Sequence, residues 1–177
     1  FLVLFSVFFG FVIIELFFHL KYQEIKKDYK FSVYDKRFML FEEGLVFQNI
    51  GKIFKYHPNK KIISKTFYNL ENTWVKEYDY EIITNNFGLV QKNDLKKNKP
   101  SILFLGDSFV EGQGSDAWIN NFNGQFKELQ IINGGVMGTG PQQFELLESH
   151  ISKHFSVKKL IFFYIGDDLR RNIFNIS

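Results

Sequence analysis

An α/β fold built on a parallel sheet is predicted for residues 101–177, and two observations predict it. Three short apolar runs, Ile102–Leu105, residues 129–133 (LQIIN) and Lys159–Ile165, alternate with two segments that read as helices. Each run is followed at once by glycine and polar groups: Gly106-Asp107-Ser108, then Asn133 to Gly138, then Gly166-Asp167-Asp168. Strand–helix–strand order implies parallel pairing with right-handed crossovers, and helices are then expected on both faces of the sheet. Ligands in such sheets bind beyond the carboxyl ends of the strands. A hydroxyl, a glycine-rich backbone and a carboxylate pair are therefore expected at one rim.

Each element has its own signal. Ile102–Leu105 is bounded by Pro100-Ser101 and Gly106, as a buried strand is. Residues 119–129 (INNFNGQFKEL) read as a modest crossover helix. Residues 141–155 begin with Pro at a first helical position and carry Phe144, Leu147, Ile151 and Phe155 at spacings of three and four. Lys159–Ile165 (KLIFFYI) closes the pattern as a third strand.

The rest of the chain divides by charge. Residues 1–20 hold a single charge, Glu15, and 7 of the 23 Phe. At about 1.5 Å per residue, such a run matches a hydrocarbon core of about 30 Å, so a transmembrane helix is predicted over 1–20 with Glu15 at the interface. Residues 21–100 carry 16 Lys/Arg against 10 Asp/Glu and read as a basic stalk. An amphipathic stretch (YQEIKKDYKF) leads it, and an alternating strand (TWVKEYDYEIIT) follows. Lys60-Lys61 and Lys96-Lys97 fit either contact with anionic lipid or polymer or a merely solvated surface. Residues 101–177 carry 6 Lys/Arg against 8 Asp/Glu. The expected organisation is thus a membrane helix at 1–20, a stalk at 21–100 and an α/β domain at 101–177, with single-pass membrane localisation and the α/β domain extracytoplasmic.

Composition excludes several classes. With 23% charged and 19% aromatic residues the chain is not broadly disordered. Its lack of Cys excludes disulfides, iron–sulfur clusters and thiolate zinc sites. No arginine-rich stripe with interleaved aromatics points to nucleic acid. The glycines at 134, 135, 138 and 140 do not form a dinucleotide fingerprint, no P-loop is present, and Gly106-Asp107-Ser108-Phe109-Val110 is not a G-x-S-x-G elbow. His150 and His154 are four apart on a predicted helix but have no third ligand, so neither a metal nor a cofactor is expected. Asp107 reads as a residue that orders the turn before Ser108.

Three blocks carry a resemblance. Gly106-Asp107-Ser108-Phe109, Asn133 to Gly138 and Ile165-Gly166-Asp167-Asp168 resemble, in order and spacing, the first three blocks of the SGNH (GDSL-type) hydrolases. Asn85-Asn86-Phe87-Gly88 resembles the lead-in of membrane-anchored members, so the resemblance covers residues ~82–172. It implies a three-layer, flavodoxin-like parallel sheet, with Ser108 as nucleophile, Gly138 N–H as an oxyanion donor and Asp167 at the third block. It further implies hydrolysis or transfer of acyl or acetyl groups, with an acylated carbohydrate or other small ester as partner.

The chain departs from the pattern at two places. Asp167 stands where the family places an asparagine, and a pairing with Arg170 or Arg171 would turn its carboxylate away from an oxyanion. The Asp-x-x-His that supplies the base is absent, since Leu16, Phe54, Leu147 and Ile151 precede the four histidines by three residues. The chain reads as a fragment whose base lies beyond Ser177. A non-catalytic carbohydrate-binding or assembly factor on the same fold is the alternative.

Overall fold

The computed structural model describes residues 2–28, 37–42, 46–70, 73–122, 125–166 and 168, with side chains for 5–20 and for 38 onward within those ranges. The apolar N-terminal run is helical, but α1 spans Leu2–Asp28, so Glu15 lies in its middle and not near its end. Among the described residues no helix is long and apolar enough to cross a membrane. The expected single-pass membrane placement, and the extracytoplasmic domain that went with it, are therefore corrected.

The next segment is rich in antiparallel strands. β1 (Arg37–Phe41), β4 (Lys61–Leu70) and β5 (Thr73–Ile83) form one sheet in the order β1-β4-β5, while β2 (Phe47–Ile50) and β3 (Ile53–Tyr56) pair as a hairpin. Alternation explains β4: Ile62, Ser64 and Thr66 are buried, and the residues between them are partly exposed. Lys61 pairs with Glu81 at 2.6 Å across the β4–β5 ladder, so this lysine has an internal partner.

The third sheet is parallel. β6 (Ser101–Gly106) lies between β7 (Gln130–Gly135) and β8 (Val157–Phe162), and Gly106 is in register with Gly135. α2 is a single turn, Ser108–Glu111, a 3-10 turn spans Trp118–Phe122, and α3 is Pro141–Ser152. The helix expected over 119–129 is replaced by that 3-10 turn. Asn and Gly are poor helix formers, and Asn120 is occupied locally, accepting from Lys92 N and donating to Asp116.

This replacement changes the fold class. A three-layer, flavodoxin-like sandwich needs helices on both faces of its sheet. Here Leu103, Leu105 and Ile132 pack against Phe144, Leu147 and Ile151 of α3 on one face. On the opposite face, Ile131 and Phe104 meet Ala117, Ile119 and Trp118 together with Tyr56, Ile62 and Ile82 of the antiparallel strands. The chain is a mixed fold of antiparallel and parallel sheets in which antiparallel strands and the Trp118–Phe122 turn, not a crossover α-helix, cover the second face.

Candidate functional site

Ser108 is held by the turn that ends β6. The carboxylate of Asp107, itself 2% exposed, accepts from Phe109 N at 3.0 Å and caps the single-turn helix α2. Glu111 N donates to Asp107 O at 3.0 Å, and Gly112 N and Gln113 N both donate to Ser108 O. Ser108 is thus the first residue of a pinned turn, half-buried, two residues beyond the end of the central strand.

The glycine block divides into strand and turn. Gly134 and Gly135 belong to β7. Asn133 is fully buried: its amide donates to Val90 O at 2.8 Å, its Oδ1 accepts from Gly135 N at 3.0 Å, and its own N–H reaches Gln91 Oε1 at 3.0 Å. A Cβ on Gly135 would lie 2.1 Å from Glu111 N, so glycine here lets α2 press directly on the strand. Val136 to Thr139 form a turn closed by Thr139 N donating to Val136 O at 3.3 Å. Gly138 occupies its third position at φ 72°, the left-handed conformation that a type II turn requires there. Gly138 is exposed, and among the described residues its N–H makes no hydrogen bond. Since β6 and β7 are adjacent and parallel, Ser108 and Gly138 stand at the same end of the sheet.

The third block is only partly visible. Asp167, Arg170 and Arg171 lie outside the described residues, as does the Asn175-Ile176-Ser177 acceptor sequence. Asp168 is fully buried and closes a turn with Ile165, accepting from Ile165 N at 3.0 Å while its own N–H donates to Ile165 O at 3.0 Å. The lead-in block also forms a turn. Asn85 Oδ1 accepts from Phe87 N and Leu89 N, and the Asn86 amide pairs both ways with the backbone of Leu95.

Sequence reasoning passed over Glu111. This residue is 1% exposed, one turn beyond Ser108, and its two oxygens meet two separate segments. Tyr56 Oη donates to Oε1 at 3.0 Å, and Met137 N donates to Oε2 at 2.5 Å. Burial pushes the carboxyl up to about 8, against the two hydrogen bonds, which favour its charged form. Burial, followed by the charge of Glu111, likewise raises Tyr56 well above the usual tyrosine range. An acidic residue between Val110 and Gly112 gave one faint signal, but Tyr56 is 55 positions away and no local pattern links them.

The histidines are elsewhere. α3 leaves the rim at Pro141 and runs back, so His150 and His154 lie near its end, just before β8 begins beside Ser101. His150 stacks on Phe87 at 5.1 Å and is held below the usual histidine range by burial, with His154 and Lys55 adding to the effect. Among the described residues no histidine hydrogen-bonds to Ser108, and no group of three or more His, Asp or Glu is placed to hold a metal ion.

A groove of about 490 Å³ opens beside Gly138, lined also by Lys52, Phe54, Thr139, Gln142 and Leu146. Its far wall is the β2–β3 hairpin, tied to α3 by Gln143, whose amide donates to Lys52 O at 2.8 Å and accepts from Phe54 N at 3.2 Å.

No family model, curated protein or solved structure matches the chain. A functional reading therefore stands on the quoted blocks and on the geometry of the rim.

Proposed function

We propose that this protein carries out serine-dependent acyl chemistry, hydrolysing or transferring acyl or acetyl groups of carbohydrates or other small esters. The observation that carries the reading is the placement of Ser108 and Gly138 after adjacent parallel strands, at one end of the sheet; the groove is lined by Gly138 and not by Ser108. Ser108 Oγ attacks the ester carbonyl, and its proton passes to a base that is not among the described residues. The oxyanion receives the N–H groups of Ser108 and Gly138. Collapse expels the alcohol and leaves an acyl-serine, which water or a sugar hydroxyl then cleaves. That the Gly138 N–H makes no hydrogen bond among the described residues supports the donor role, because a donor already committed within the fold would have to break a bond to serve.

Carbohydrate binding or assembly without turnover is the second reading, and the absence of any described histidine bonded to Ser108 favours it. Turnover of p-nitrophenyl acetate by the full-length protein, compared with its Ser108→Ala form, separates the two; residues 1–177 alone, without a base, are expected to turn over negligibly. Ester chemistry at Ser108 requires a rate above background that the alanine variant abolishes. An equal rate in both proteins removes Ser108 from the chemistry.

A further inference from the structure

We propose that Glu111 is a positioning residue that sets the separation between Ser108 and the Gly138 N–H by bracing α2 against the turn after β7. The inference rests on the ester-chemistry reading for its consequence, though not for its geometry.

The carboxyl lies between the two halves of the rim. Glu111 belongs to the same single helical turn as Ser108, and its Oε2 takes the N–H of Met137, the residue before Gly138. The peptide unit joining Val136 and Met137 is held at both ends. Glu111 binds its N–H, while Thr139 N and Thr139 Oγ1 bind its carbonyl at 3.3 and 2.6 Å. With that plane fixed, the next peptide, which carries the Gly138 N–H, has its direction set by the turn. Tyr56 Oη on the other oxygen keeps the carboxyl from rotating away, and Asn133 Nδ2 donates to Glu111 O at 3.3 Å from the neighbouring strand. Gly135 adds the close approach that lets this short side chain span the gap.

A buried carboxyl is a costly way to fill space unless the hydrogen bonds it accepts are needed. What an apolar group cannot do is accept two hydrogen bonds from segments that must be held apart by a set distance. An amide can. In Glu111→Gln the side-chain oxygen accepts from Met137 N, and its NH₂ donates to Tyr56 Oη.

The test compares the full-length protein with its Glu111→Gln and Glu111→Leu forms, by hydrogen exchange over residues 136–140 and by kcat and KM for p-nitrophenyl acetate. The Gln variant is expected to keep both exchange and kcat within about threefold. The Leu variant is expected to exchange the turn at least tenfold faster and to lose about 10- to 100-fold in kcat with little change in KM. If Glu111→Leu does not fold, Glu111→Asp, one methylene too short to span Tyr56 and Met137, carries the same expectation. Unchanged exchange over 136–140 in Leu or Asp overturns the bracing role whatever the turnover. Faster exchange with unaltered kcat overturns its consequence for the rim. Absence of Ser108-dependent turnover in the unaltered protein sinks the ester-chemistry reading alone and leaves the exchange result to decide the geometry.

Discussion

At Glu111, proton uptake and folding are coupled. The carboxyl titrates near 8 in the folded chain against an ordinary value of 4.5, so between those values the folded state holds more protons than the unfolded one. Its contribution is fully present below about pH 4.5 and is lost as pH rises through about 8. A shift of that size corresponds to something on the order of 5 kcal/mol across the window, as an upper bound. The titratable groups facing it are Asp107 at the cap of α2 and Tyr56 on β3, with Tyr80 of β5 acting on Tyr56. Glu111→Gln removes the titration. Its melting temperature relative to the unaltered protein is therefore expected to rise from pH 5 to about pH 8 and to level off above it, as read by circular dichroism. A difference that stays flat over that range would mean that the carboxyl is already ionised in the fold.

At the scale of elements, one side chain from α3 ties down the tip of the β2–β3 hairpin. Gln143 supplies the acceptor for Phe54 N and a donor for Lys52 O, so the hairpin wall of the groove is tied to the helix that follows Gly138. Gln143→Ala removes both bonds and should cost about 1–2 kcal/mol in urea unfolding. Amide exchange at Lys52 and Phe54 should quicken while that of Ile62 and Ile82, in the β4–β5 core, does not. Uniform quickening would show that the hairpin is held by the whole core and not by this anchor. The elements also differ in how they could be read. β6 and α3 are announced by an apolar run and by a helical period, because both bury one continuous face. The helix predicted over 119–129 rests on the helical spacing of its Ile and Phe, but Asn120 is committed to Lys92 and Asp116, and a 3-10 turn forms at Trp118–Phe122.

Across the whole molecule, the parallel sheet separates two cores. Leu103, Leu105 and Ile132 belong to one, Ile131 and the partly buried Phe104 to the other, and the second core is completed by Tyr56, Ile62 and Ile82 from before Pro100. Residues 101–177 expressed alone would expose that second face of the sheet to water. They are expected to show no cooperative thermal transition, in contrast to the full chain, when both are followed by near-ultraviolet circular dichroism. A sharp transition in 101–177 alone would mean that the antiparallel strands are an addition and not part of the core.

By itself the sequence determined the local grammar of the rim. The glycines and Asp107 punctuate the strand ends, Ser108 follows the central strand, and Gly138 sits where a turn needs a positive φ. These are short-range properties, written within a few residues of where they act. What covers the second face of the sheet, and what braces Ser108 against Gly138, only the tertiary structure decided. Tyr56 and Glu111 are 55 positions apart and meet because an antiparallel strand takes the place of a crossover helix, a choice made by packing and not by any local pattern. The N-terminal helix gives the converse lesson. Its apolar composition is plain in the sequence, but the continuation to Asp28 places Glu15 in its middle, and helix length is set by where backbone hydrogen bonding stops and not by where hydrophobicity does.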